Sequence, residues 1–258
     1  MALVLFEENP KGWAKITLND PDNLNAMSED MAAEFSALVA RLMPDKEKYR
    51  AIILTGAGRA FSAGGDLQML EKKIEFSAEK NKELMLKFYN SFLSILDLEV
   101  PIVAAINGHA IGAGLCVASA CDIRISSDSA KLGFTFTKLG LHPGMGATYF
   151  LPKVVGYAVA SELMLTGRVI KADEAQRIGL VSQVVETDKV METAEGIVSE
   201  ILSCGPLATR QLLANLRGGA KDMKASLEAE ADAQAVNYHS ADFKEGVRSV
   251  IEKRPANF

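Results

Sequence analysis

The sequence predicts an α/β protein in which strand–loop–helix units fill the first two thirds and helices alone fill the rest. Two observations carry this. Short apolar runs of strand character, Trp13–Leu18, Arg50–Thr55 and Pro101–Ile106, are each followed by turn residues and then a helical stretch. Beyond Asp188, helical periodicity runs to the end, broken at Gly205-Pro206, Gly218-Gly219 and around His239-Ser240.

Taken in order, Trp13–Leu18 alternates as a strand, Asp20-Pro-Asp-Asn-Leu-Asn25 is turn chemistry, and Ser28 is placed to cap a helix running to about Leu42. Arg50–Thr55 opens a second unit whose long helix is expected over Glu79–Leu98. Pro101–Ile106 opens a third, followed by short strands at Asp122–Ser126 and Leu132-Gly133. Ala158–Thr166 and Ala172–Ile178 read as helices separated by Gly167, and Leu180–Val185 as a last strand. The tail has no strand of its own to pack on. Its amphipathic helices are expected to cover a neighbouring subunit or fold back on the core.

Composition narrows the function. With 258 residues, 48% hydrophobic and 24% charged, the chain can bury a substantial core. The net charge of -5 argues against a general nucleic-acid surface. Cys116, Cys121 and Cys204 are odd in number and contain no Cys-x-x-Cys pair, so they read as reduced thiols in a cytoplasmic setting. His109, His142 and His239 are scattered, and no metal site has ligand-like spacing. The apolar start is too short for a signal peptide and lacks a basic region. Pro101–Cys121 carries no Asp, Glu, Lys or Arg and has the length of a membrane span, but its glycines, Asn107 and His109 favour a buried strand, turn and helix.

Two glycine-rich turns carry the chemistry: Phe61-Ser-Ala-Gly-Gly-Asp-Leu67 and Asn107-Gly-His-Ala-Ile-Gly-Ala-Gly114. Each joins a strand to a helix, where a backbone N–H can approach a ligand beside the positive end of the helix. Two such turns, converging, make a two-donor oxyanion hole able to stabilise an enolate or tetrahedral oxyanion.

At these turns the chain resembles the crotonase, or enoyl-CoA hydratase/isomerase, superfamily. The resemblance also rests on Asn25-Ala26, Cys121-Asp-Ile123, Pro143-Gly-Met-Gly-Ala-Thr148, Leu165-Thr-Gly167, Ala175 with Gly179-Leu-Val181, and Glu252-Lys-Arg254. It implies a spiral of repeated ββα units as an acyl-CoA-binding core over residues 1–200. A C-terminal helical region over 201–258 would build a homotrimer or a dimer of trimers. It implies a lyase or isomerase of fatty acid metabolism acting on an acyl-CoA or carrier-protein thioester. No separate cofactor is expected, since coenzyme A or pantetheine is part of the substrate. Carried over by position, Gly65 and Ala113 supply the oxyanion amides. Ala63, Asp66, Leu67 and Gln68 continue the thioester and pantetheine contact, Ala26 lies near the adenine, and Phe136 belongs to the substrate pocket.

The resemblance breaks at the acid–base pair. Hydratases of the family use one glutamate two residues past the glycine triplet and another ending a Phe-Gly-x-Pro-Glu string; here those positions hold Cys116 and Phe136. General acid–base catalysis typically contributes ~10²–10⁴-fold, so ordinary hydration is expected to be slow or absent. The replacements each have two readings. Cys116 is either a first-turn thiol of lowered pKa or a small buried hydrophobe. His142 either titrates at the acyl end of the pocket or fixes its loop. Asp66 either moves a proton or caps the helix it begins. Lys72 or Lys73 either meets coenzyme A phosphates or lies on a solvated face. Decarboxylases of carrier-bound thioesters also lack both glutamates and carry a string like Pro143–Thr148; Phe134, Phe136 and Met145 would give them an apolar pocket. A non-catalytic acyl-CoA-binding or scaffold protein is the remaining alternative.

Overall fold

The computed structural model describes residues 2–258, with the backbone alone at Lys46. In chain order it contains β1 (Val4–Asn9), β2 (Trp13–Leu18), α1 (Glu29–Leu42), β3 (Ala51–Gly56), β4 (Ala60–Ser62), α2 (Leu67–Lys72) and α3 (Ala78–Leu93). Then come β5 (Ile102–Ile106), β6 (His109–Ile111), α4 (Ala113–Ala120), β7 (Ile123–Ser127), β8 (Lys131–Gly133), α5 (Ala147–Val155), α6 (Tyr157–Thr166), β9 (Val169–Lys171), α7 (Ala172–Arg177) and β10 (Gln183–Val185). Four helices end the chain: α8 (Val190–Leu202), α9 (Pro206–Gly218), α10 (Met223–Asn237) and α11 (Ala241–Glu252).

Two sheets result. One runs β1-β2-β3-β5-β7-β10 and the other β4-β6-β8-β9. The chain alternates between them, so β3, β5 and β7 enter the larger sheet and β4, β6 and β8 the smaller. All neighbours are parallel except β1 with β2 and β8 with β9. This alternation is the α/β spiral of ββα units.

The central strands are covered on both faces, which is why they read as continuous apolar runs. Ile52, Leu54, Ile102, Ala104 and Ile106 face the larger core, where Phe35 of α1 and Phe92 of α3 pack 5.3 Å apart. Ala51, Ile53, Val103 and Ala105 face the other way, against Val190, Ala194 and Val198 of α8. The first tail helix therefore folds back on the core, one of the two placements expected from the sequence: a sheet face left bare by the earlier helices takes it. Arg217 on α9 ties the next helix down, bridging to Asp122 at 2.7 Å and donating to the carbonyls of Leu96 and Val100.

Other differences are local. Ser28 caps α1 as expected, its Oγ accepting from Met31 N–H at 3.1 Å. The long helix ends at Leu93 and continues as a 3₁₀ turn to Leu98, stopped by Glu99 at φ 55°. β1 goes unnoticed in sequence because it is a half-exposed edge strand. The last strand begins only at Gln183, since Leu180 is held by Ala175 O. The charge-free stretch Pro101–Cys121 is β5, β6 and the wholly buried α4. Among the described residues no helix is long and apolar enough to cross a membrane.

Candidate active site

The site begins with strand pairing. β4 and β6 are parallel neighbours, so the turns that leave them emerge side by side. A bulge between Ala60 and Ser62 shifts the register so that Ser62 pairs with Ala110. Gly65 lies three residues beyond Ser62, and Ala113 three beyond Ala110.

Close backbone contact requires glycine here. Gly64 sits at φ +97°, and a Cβ on it would lie 2.8 Å from Ile111 O and 3.6 Å from Ala113 N. Gly112 adopts φ 53°, ψ -123°, a region open essentially to glycine alone. A Cβ on Gly114 would fall 2.5 Å from Ser62 Cβ, so α4 starts directly against β4.

Several neighbouring amides are engaged. Ala63 N–H donates to Leu24 O, Gly64 N–H to Ser62 Oγ, Asp66 N–H to Met27 O and Gly112 N–H to Gly133 O, at 2.8–3.1 Å. Met27 N–H in turn donates to Gly64 O at 2.7 Å, and Asn25 is locked below by its amide, which donates to Ala57 O and Ala60 O at 2.8 Å. The N–H groups of Gly65 and Ala113 have no acceptor among the described residues. Both residues line one inner cavity of about 100 Å³. An outer cleft of about 670 Å³ adjoins it, sharing Leu67, Leu70, Met85, Tyr89, Leu139 and Leu141.

The structure brings Ala63, Gly65, Leu67, Ala113 and Phe136 to the inner cavity, and Gln68 to the outer cleft. The Phe136 ring closes on the second turn: a Cβ on Gly112 would lie 3.9 Å from its Cζ. Met145 also lines the inner cavity, whereas Phe134 is buried in the core and does not, which corrects its expected place in the pocket.

The remaining residues stand elsewhere. Ala26 lines neither cavity, its N–H bonded to Asn23 O at 3.0 Å. Asp66 caps α2, Oδ1 accepting from Met69 N–H at 2.7 Å. His142 is exposed, and its Nδ1 donates to Pro143 O at 2.8 Å. Cys116 is fully buried, and desolvation pushes its thiol well above the ordinary range. Of the two readings of Cys116, the small buried hydrophobe is the one the structure favours, not the first-turn thiol of lowered pKa; α4 is buried all round, and a thiolate there would be stranded in the core. Lys73 is the exception: it lines the outer cleft, paired with Glu29 at 2.6 Å.

Sequence reading missed the opposite wall. Met85, Phe88 and Tyr89 of α3 line the inner cavity with Thr135. Their helical spacing marks an inward face, but a core-facing stripe and a pocket-facing stripe look alike in sequence. The polar side chains of the inner cavity are the hydroxyls of Tyr89 and Thr135; no carboxylate or imidazole lines it among the described residues.

This fold and this pair of turns belong to the crotonase class, and the comparisons give the family. The family model for enoyl-CoA hydratase/isomerase matches residues 8–258, so the chain belongs to that family and is an acyl-CoA-processing enzyme. It is 37% identical over 253 residues to a short-chain-enoyl-CoA hydratase of Clostridium acetobutylicum, covering 97% of this chain and 95% of the relative. It is 34% identical to the 1,2-epoxyphenylacetyl-CoA isomerase of Escherichia coli, covering 96% and 95%. The crystal structure of an enoyl-CoA hydratase from Bacillus anthracis superposes with a TM-score of 0.92 at 33% identity, covering 99% and 98%.

Proposed function

We propose that the enzyme binds a coenzyme A or carrier-protein thioester with its carbonyl oxygen between the amides of Gly65 and Ala113, and stabilises the thioester enolate there. What supports this is that Gly65 and Ala113, whose N–H groups have no acceptor among the described residues, line the same inner cavity. Removing one such donor typically costs ~10²–10³-fold in rate. The pantetheine arm would run out past Leu67 and Gln68 through the outer cleft, so the chemistry needs no separate cofactor.

Conventional hydration of crotonyl-CoA is expected to be slow. The family's two glutamate positions hold Cys116, a buried neutral thiol, and Phe136, which cannot carry a proton. Decarboxylation of a malonyl- or glutaconyl-type thioester is the second reading, favoured by the inner cavity's lack of a carboxylate. Its enolate needs the two amides but no activated water, and apolar walls favour loss of a carboxylate. Exposed Leu212, Leu216, Val250 and Ile251 on the tail helices support assembly as a homotrimer or dimer of trimers.

A mass-spectrometric screen of the purified protein against enoyl-, 3-hydroxyacyl-, malonyl- and glutaconyl-CoA tests the chemistry. Rapid crotonyl-CoA hydration, unchanged in Cys116→Ala, Asp66→Asn and His142→Ala, would overturn the argument from the missing glutamates. Sedimentation giving a monomer at micromolar concentration would overturn the assembly. Silence across the panel together with tight acyl-CoA binding would instead favour the non-catalytic alternative.

A further inference from the structure

The phenol of Tyr89 has no role in the scheme above, yet its placement is specific. Its side chain lines both the inner cavity and the outer cleft, so it stands at the passage between them. Its hydroxyl makes no hydrogen bond within the described residues. The loop opposite is shaped around it: a Cβ on Gly144 would lie 2.3 Å from the Tyr89 hydroxyl oxygen and 2.7 Å from Cζ, so position 144 leaves its space to the phenol. Leu70, Met85, Phe136 and Met145 make the neighbouring walls of the inner cavity apolar.

Such a group has a cost if nothing meets it. A hydroxyl stripped of water and left unpaired against an alkyl chain loses its hydrogen bond, whereas an oxygen on the ligand restores one. Burial, and then the Cys116 thiol, push the Tyr89 pKa above its ordinary value. The group therefore stays a neutral donor at neutral pH.

Resting on the proposed seat of the thioester carbonyl at Gly65 and Ala113, we propose that Tyr89 reads the acyl chain. Its O–H donates to a second oxygen carried beyond the thioester carbonyl, so the site selects short thioesters bearing a 3-oxo, 3-hydroxy or carboxylate group over plain alkyl thioesters. The inner cavity, about 100 Å³, accommodates only a short acyl group beside that donor.

Calorimetry with acetoacetyl-CoA and butyryl-CoA tests this without requiring turnover. The wild-type protein is expected to bind acetoacetyl-CoA about tenfold more tightly, the scale of one satisfied hydrogen bond of about 1.4 kcal/mol. Tyr89→Phe keeps the ring and should erase the preference while leaving butyryl-CoA affinity within about twofold, a result that also shows the variant to be folded. Gly144→Ala, which moves the phenol without removing it, should reduce the preference as well. Equal binding of the two ligands by the wild type, or an undiminished preference in Tyr89→Phe, overturns the role of Tyr89 and leaves the oxyanion site standing. Absence of binding of both ligands to the wild type rejects the oxyanion site itself, and the proposal with it.

Discussion

The two glycine turns hold their proposed donor amides by different means. The first leads into α2, six residues long and largely exposed, whose N-terminus is already occupied by the carboxylate of Asp66. The second leads into α4, eight residues that are all buried, and Gly112 before it supplies no side-chain cap. Ala113 therefore presents an amide at an uncompensated helix end fixed in the core, with the helix dipole behind it. Gly65 relies on its flanks, which the bridge to Met27 holds through Gly64 O and Asp66 N–H. One donor is anchored by a helix, the other by a strand-like bridge, and the pair separates positioning by packing from positioning by hydrogen bonds.

The comparison can be broken most sharply at Gly65. Gly65→Pro removes one donor while sparing both bridge bonds, which use neighbouring atoms. Turnover of whichever thioester the enzyme processes should fall by ~10²–10³-fold with little change in melting temperature. Wild-type turnover in this variant would mean that the bridge-held amide takes no part. Next in size is Gly112→Ala. The backbone at φ 53°, ψ -123° and the nearby Phe136 ring make this change cost about 1–3 kcal/mol, read from urea midpoints, with loss of activity as the second turn shifts.

Asp66 sharpens the contrast in caps. Asp66→Ala should cost about 1 kcal/mol by loss of the Met69 bond, while Asp66→Asn, itself a good cap, should keep most of the stability. Retained turnover in Asp66→Asn identifies the carboxylate as a cap; a large loss there with intact stability would give it a proton to move.

The smallest effect concerns the thiols beneath the second turn. Burial pushes Cys116 up, and pushes Cys121 up to about 12. Both folded values exceed the unfolded thiol value of about 8.5, so the stabilisation is whole below that pH and is lost as pH rises from there towards 12. Urea midpoints should decline between pH 8 and 10.5, and Cys121→Ala should flatten that decline relative to the wild type. Iodoacetamide should label exposed Cys204 in the native protein and spare Cys116 and Cys121 until it is denatured.

Much of this was legible from local pattern. The run Arg50–Thr55, the cap at Ser28 and the breaks at Gly205 and Gly218 each follow from neighbours in sequence, and the structure places elements there within a residue or two. The two turns were legible because glycine at a close approach has no substitute. What escaped was decided by partners distant in the chain. The tail helix α8 found its place because β3 and β5 have a second face. The inward side of α3 looked like any core stripe, so Tyr89 was invisible as a pocket residue. Cys116 and His142 show the same limit: identity and position suggested chemistry, while complete burial of one and a carbonyl partner for the other depend on packing around them.

The bulge between Ala60 and Ser62 has a consequence of another kind. Were Phe61 paired in step after Ala60 and His109 rather than bulged out, Gly65 would stand level with Gly114 rather than Ala113. The two proposed donors are thus kept in phase by counting residues along neighbouring strands about 4.8 Å apart. Side chains around them can be exchanged without retiming the pair. Adding or deleting a single residue between Ser62 and Gly65 would slip the phase and dismantle the proposed hole while every atom of its chemistry remained present.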